Sequence, residues 1–140
     1  MLTVGQELVL RRTLSQADFD RFAALSGDDN PIHVDPAFAG QTRFGRTVSH
    51  GMLLYGLIRA ALQACAPGAA QVEQELMFPN PTYAGEELSV CIRVAEVAPD
   101  ERLARLETWI SKAGGVLVCQ GQTTLRLDGQ AQHARAEGAS

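Results

Sequence analysis

Gly51-Met52-Leu53-Leu54-Tyr55-Gly56-Leu57-Ile58-Arg59-Ala60-Ala61-Leu62-Gln63-Ala64-Cys65-Ala66 is the most apolar stretch of the chain, and its reading decides the fold. Apolar residues fall on nearly every face of the helix it would form, the pattern of a helix enclosed by the rest of a structure. Pro67-Gly68 stops it. Beyond the stop the sequence changes character. Four segments rich in alternating or β-branched residues follow, at about 71–79, 87–97, 103–112 and 115–127. In the third, Ala104, Leu106, Thr108 and Ile110 share one face, with Arg105, Glu107 and Ser111 on the other. Gly114-Gly115 reads as a hairpin turn.

On the amino-terminal side, residues 6–13 read as a short strand. Ser15 is placed as an N-cap with Asp18 as its capping-box partner. From Gln16, residues Phe19, Phe22, Ala23 and Leu25 cluster on one helical face, and Gly27 closes the helix. Residues 27–33 are dense in turn formers and read as loop, since Pro31 disfavours helix at Asn30. Residues 36–42 can make one or two helical turns led by Pro36. Strand, helix, loop, buried helix and then four strands argue an α+β fold, with an antiparallel sheet of about five strands curled around one long helix. The expected domain is residues 1–127, followed by a frayed tail at 128–140. A small sheet of this kind leaves an open edge, so a homodimer is the natural way to complete burial.

The composition fits one globular domain: 140 residues, 46% apolar and 20% charged. With 12 basic residues against 16 acidic ones, the general electrostatic footprint of a nucleic-acid binder is missing. No apolar run approaches the ~20 residues of a membrane span. Met1–Glu7 lacks a basic, apolar leader pattern, so the expected location is cytoplasmic. Cys65, Cys91 and Cys119 are odd in number and widely spaced, and read as small buried hydrophobes.

Chemistry concentrates around two of the three histidines. Asp28 and His33 stand five residues apart across Asn30-Pro31, whose turn can bring both side chains to one side of a cleft. A carboxylate and an imidazole facing one water can hold it by two hydrogen bonds. One group removes its proton while the other supplies or relays a proton to a nearby carbon, as adding water across a double bond requires. A purely local role, Asp28 as a turn residue and His33 as a loop histidine, fits the spacing too. Ser49-His50-Gly51 opens the apolar helix, where unpaired N–H groups and a partial positive charge gather. Gly51 lets a ligand oxygen approach the backbone there. Equally, Ser49 can simply cap the helix and Gly51 pack against a neighbour. His133 lies in the tail and draws no role.

Phe22-Ala23-Ala24-Leu25-Ser26-Gly27-Asp28-Asp29-Asn30-Pro31-Ile32-His33-Val34-Asp35, then Ala37-Phe38-Ala39, then Val48-Ser49-His50-Gly51-Met52-Leu53, resemble the MaoC-like (R)-specific enoyl-CoA hydratases. Both the D-x-N-P-x-H loop and the following H-G-M helix start are present, in order and at the family's distance. The resemblance implies a hot-dog fold, a curved sheet around one helix, acting as a dimer. It implies reversible hydration of a trans-2-enoyl thioester, carried by CoA or an acyl carrier protein, to the (R)-3-hydroxyacyl form, with no metal or redox cofactor. Carried across, Asp28 and His33 become the catalytic pair and Asn30 and Pro31 the residues that shape the loop. Gly51 N–H becomes the donor to the thioester carbonyl, with Ser49 and His50 in support.

The chain departs from the family where some members carry a small hydroxyl residue about two turns into the helix. Tyr55, Gly56 and Arg59 stand in that neighbourhood here, so Tyr55 and Arg59 are expected to shape the acyl pocket. An Arg in so apolar a helix needs a carboxylate, a route to solvent, or a carboxyl group on the substrate. Arg43 and Arg46 are placed to meet CoA phosphates or to serve as solvated surface charge. The competing functional readings are a hot-dog acyl-CoA thioesterase and a non-catalytic acyl-thioester binding subunit.

Overall fold

The computed structural model describes residues 2–127; the expected tail at 128–140, His133 included, lies outside the described residues. Its elements are β1 (Glu7–Thr13), α1 (Gln16–Ser26), α2 (Pro31–Val34), α3 (Pro36–Gly40), α4 (Gly51–Cys65), β2 (Ala70–Gln74), β3 (Glu87–Val97), β4 (Leu103–Lys112) and β5 (Val116–Arg126). The strands form one antiparallel sheet in the order β1-β3-β4-β5-β2. Helix α4 packs against β1, β3, β4 and β5. This is the expected α+β arrangement, one sheet folded about one long helix.

Local chemistry accounts for the ends of α1. Ser15 and Asp18 form the reciprocal capping box, with Ser15 N–H donating to Asp18 Oδ2 at 2.8 Å and Asp18 N–H to Ser15 Oγ at 3.2 Å. Those bonds from Ser15, backbone first, hold the Asp18 carboxyl below its ordinary value of 3.8. Gly27 ends the helix at φ 80°, the left-handed conformation that a side chain resists. Gly114 and Gly115, at φ 77° and 73°, turn β4 into β5 as the sequence suggested.

Along β4, Ala104, Leu106, Thr108 and Ile110 are buried and their neighbours are not. Ala104, Leu106 and Ile110, with Leu88, Val90, Ile92, Val94, Val118 and Leu125, form the floor against which Leu54, Ile58, Ala61 and Leu62 of α4 pack. Fully burying one such side chain is worth about 1.5–3 kcal/mol, so this floor fixes the helix. Cys119 is buried in it and Cys91 is buried on the opposite face of the sheet, as expected, while Cys65 is only half-buried; burial pushes the Cys119 thiol up to about 11, which keeps it protonated and inert.

Three expectations are corrected. Residues 31–34 are not loop but a single helical turn, because Asn30 Oδ1 caps it by accepting from Ile32 N–H at 3.1 Å and Pro31 takes its first position. The strand expected to reach 79 ends at Gln74, with only an isolated bridge from Met77 to Gln120 beyond. Nor is α4 covered on all sides within one chain, since Met52, Gly56 and Ala60 face out and Met52 is 51% exposed.

The segment after β2 runs unusually close to β5. A Cβ placed on Gly121 would lie 1.8 Å from the Glu75 carbonyl oxygen, so only glycine admits the crossing. Gly121→Ala is therefore expected to lower the unfolding free energy by about 3 kcal/mol, or to prevent folding. Chemical denaturation monitored by circular dichroism measures this; wild-type stability in the variant would contradict it.

Candidate active site

Two short segments build the site, residues 28–35 after α1 and residues 47–50 before α4. Val48 N–H donates to the Ile32 carbonyl at 3.1 Å and ties them together. The turn of α2 then carries His33 over the second segment, where His33 Nδ1 meets the Val48 carbonyl at 2.8 Å. A carbonyl can only accept, so Nδ1 holds the proton of the neutral ring and Nε2 keeps its lone pair. Nε2 faces Asp28, 3.8 Å from its Oδ2. That is too long for a direct hydrogen bond and suits a water that touches both groups. The Asp28 side chain is 57% exposed and that of His33 13% exposed, so the pair is open to solvent on the carboxylate side.

His50 braces this arrangement from beneath. It is buried, and its Nε2 donates to the Asp28 carbonyl at 2.8 Å. Its ring stacks on His33 with centroids 3.7 Å apart and meets the edge of Phe22 at 4.7 Å. Burial, and secondarily the facing His33, hold the His50 imidazole below its ordinary value of 6.5 despite the Asp28 carbonyl. It stays neutral, with Nδ1 buried and unpartnered.

Asp28, His33 and His50 offer ligand atoms within 4.8 Å of one another, close enough to consider a metal ion. The imidazoles are only 23° from parallel, however, so their in-plane lone pairs run side by side rather than converging on one point. The donor set does not close around a cation.

Gly51 begins α4, whose N-cap residue is His50 with no side-chain capping bond. Ser49 therefore does not cap the helix; its hydroxyl donates to the His50 carbonyl at 3.0 Å and its N–H to Thr82 O at 2.8 Å. Gly51 does pack against a neighbour, because a Cβ there would fall 2.8 Å from the Phe78 ring. A cleft of about 480 Å³ opens beside it, walled by Gly51, Ser49, Phe78, Asn80, Tyr83 and Arg43 among others. Neither Asp28 nor His33 lines this cleft in the single chain. Arg43 stacks over Phe44 at 4.7 Å, and Arg46, outside the wall, over Tyr83 at 3.9 Å. Tyr55 and Arg59 lie further along α4, away from the pair.

Sequence reasoning missed Gln16 and Thr47. Gln16 Nε2 donates to the His33 carbonyl at 2.9 Å, while its Oε1 accepts from the buried Thr47 hydroxyl at 2.5 Å. One amide thus clamps α2 to the second segment. Its partners are 17 and 31 residues away along the chain, so no local pattern marks it.

The MaoC like domain matches residues 3–108. The chain belongs to this family. It is 38% identical to an (R)-specific enoyl-CoA hydratase of Aeromonas caviae, over 90% of this chain and 96% of that protein. It is 37% identical to a 3-hydroxybutyryl-CoA dehydratase of Methylorubrum extorquens, over 90% and 81%. Among solved structures, the (R)-hydratase from A. caviae involved in PHA biosynthesis superposes with a TM-score of 0.86, covering 90% of this chain and 97% of that one at 38% identity. An unliganded R-hydratase of Pseudomonas aeruginosa does so at 0.84, with 34% identity over 90% and 82%. The fold of this MaoC-like chain is accordingly the hot-dog fold.

The depressed His50 value has a consequence for stability. A group whose folded value lies below its unfolded one stabilises fully above the unfolded value, here 6.5, and that stabilisation is lost as the pH falls through 6.5 toward the folded value. The thermal midpoint should drop between about pH 7.5 and 5.5, and His50→Gln, which keeps a donor for Asp28 O, should flatten that drop. Scanning calorimetry of both proteins tests it, and an equal drop in the variant would rule His50 out.

Proposed function

We propose that this chain is a hydro-lyase, adding water reversibly to a trans-2-enoyl-CoA to give the (R)-3-hydroxyacyl-CoA. The observation that carries the reading is the fixed tautomer of His33, whose Nε2 lies 3.8 Å from Asp28 Oδ2, so that one water beside them can touch both. As the water oxygen bonds to C3, one of its protons passes to His33 Nε2 while Asp28 holds the other hydrogen. Electrons of the C2=C3 bond move toward the thioester carbonyl, forming an enolate. The His33 imidazolium then returns its proton to C2, so one water is added and both side chains end as they began. Each step runs backward for dehydration.

The enolate oxygen needs a donor, and the uncapped start of α4 provides it. Gly51 N–H points out of the helix end, where one such donor contributes about 2.7–4 kcal/mol to a developing oxyanion. Asn30 and Pro31 shape the turn that carries His33, and His50 and Ser49 fix the segment leading to Gly51. His50 moves no protons: its Nε2–H is committed to the Asp28 carbonyl and its ring stays neutral. The 38% identity with an (R)-specific enoyl-CoA hydratase across nearly all of both chains supports hydration and a CoA carrier.

Asp28→Asn and His33→Gln are expected to fold like the wild type and to lose crotonyl-CoA hydration by about 10²-fold or more, as removal of a general acid or base does. Loss of enoyl absorbance in the ultraviolet measures it. Wild-type rates in both variants would sink the reading, and release of free thiol in place of hydration would mark a thioesterase.

We further infer that the working unit is a homodimer in the cytoplasm. Among the described residues the outer edge of β2 carries no neighbouring strand, and Met52, Gly56 and Ala60 of α4 lie open along with Val72 and Met77, at 56% and 62% exposure. A second copy set against that edge would extend the sheet and cover the helix. The three free cysteines suit a reducing compartment, and no described helix is long and apolar enough to cross a membrane. Sedimentation equilibrium should return twice the chain mass at micromolar concentration, and a monomer there would refute the dimer.

A further inference from the structure

The inner face of the sheet is not uniform. Over β1, β3 and most of β4 it is hydrocarbon, but toward β5 and β2 it turns polar. Thr108 and Thr123 face α4 there and are 0% and 1% exposed. Gln71 and Gln74 of β2 lie beside them. Gln71 Nε2 donates to Thr123 Oγ1 at 2.9 Å and to Gln74 Oε1 at 3.0 Å, and Gln74 Nε2 donates to Thr108 Oγ1 at 3.0 Å. The Tyr55 hydroxyl reaches across from α4 and donates to Gln71 Oε1.

The helix contributes a second feature. Arg59 is its one charged residue within Gly51–Cys65, is half-buried, and has no hydrogen-bond or ion-pair partner among the described residues. At 100° per residue, Tyr55 and Arg59 stand one turn apart on the border between the packed face (Leu54, Ile58, Ala61, Leu62) and the open one (Met52, Gly56, Ala60). They follow Gly51 by about 6 and 12 Å of helix. Long helical side chains lean toward the N-terminus, so Arg59 covers the turn that carries Tyr55.

We propose that the enoyl chain taken by this protein ends in a carboxylate, which Arg59 receives beside the Tyr55–Gln71 pair. The proposal rests on the reading of Gly51 as the thioester end. An acyl group anchored there and extending along α4 for two turns would reach the level of Arg59, on the side of the helix where Tyr55 meets Gln71. A methyl terminus gains nothing there. A carboxylate finds a guanidinium suited to bidentate pairing. It also relieves a cation that is partly desolvated without a partner. The distal carboxylate takes no part in the reaction; water still adds across C2=C3.

The test compares trans-2-hexenedioyl-CoA with trans-2-hexenoyl-CoA, acyl groups of equal length that differ in the terminal carboxyl. The wild type should favour the diacid derivative in kcat/KM by about tenfold or more, most of it in KM, as a charged hydrogen-bonded contact does. Arg59→Gln should bring the ratio near one and Arg59→Lys should leave it between the two. Thermal midpoints confirm that the variants fold, and the Lys variant decides if the Gln variant does not. A wild-type ratio of one or less overturns the proposal, as does an equal effect of Arg59→Gln on both substrates. Crotonyl-CoA separates the two levels of the argument. If the wild type hydrates it but shows no preference for the diacid, the carboxylate site fails alone. If it hydrates none of the three, the hydratase reading fails too.

Discussion

The seating of α4 on the sheet is the constraint on which the rest depends. Leu54, Ile58, Ala61 and Leu62 press one face of the helix into the floor made by β3, β4 and β5, and none of the four is more than 3% exposed. Because that face is fixed in rotation and height, the amino end of the helix is fixed too. Gly51 then has one position, and the segment just before it can serve as a rigid rail. The chemistry is assembled on that rail, at the edge of the core where solvent can enter.

Backbone carbonyls, rather than carboxylates, organise the histidines. Val48 O sets the tautomer of His33 and Asp28 O that of His50. A neutral acceptor orients each imidazole and fixes which of its nitrogens carries the proton. The His50 bond reaches back to the residue that supplies the carboxylate, so the loop and the rail brace each other. Gln16 adds a third tie from α1 through the His33 carbonyl. Catalytic geometry depends on this kind of support, since side chains misplaced by an ångström lose much of their effect.

What the sequence disclosed and what it withheld divide along the same line as local and non-local forces. The capping box of Ser15 and Asp18, the left-handed Gly27 and the Gly114-Gly115 turn are each dictated by a few adjacent residues, and all were legible. So was the pairing of Asp28 with His33, because Asn30 and Pro31 fix the turn between them. The same two residues also start a helix, and there the expectation of loop failed: a capping Asn and an N1 Pro are turn formers and helix starters alike. Nothing local shows Gln16 spanning 31 residues to Thr47. Nothing local shows β2 ending at Gln74 either, since the crossing over Gly121 is set by a strand 47 positions further on. The apolar pattern of α4 was read as covered on all sides, whereas one chain covers one side.

The inner face of the sheet sorts stability from selectivity. Its hydrocarbon part, which includes Val118 and Leu125 of β5, buries the area that holds the fold together. Its polar patch, Thr108 and Thr123 with Gln71 and Gln74, meets its hydrogen-bonding needs internally through the chain from Tyr55 to Thr108. A satisfied network of this kind is rigid, so it defines the shape and polarity of whatever space adjoins it. Any change to Leu54 or Ile58 would shift Gly51 and His50 together. In this fold the apolar part of the face fixes where His50 and Gly51 stand, and the polar part fixes what lies beside Tyr55.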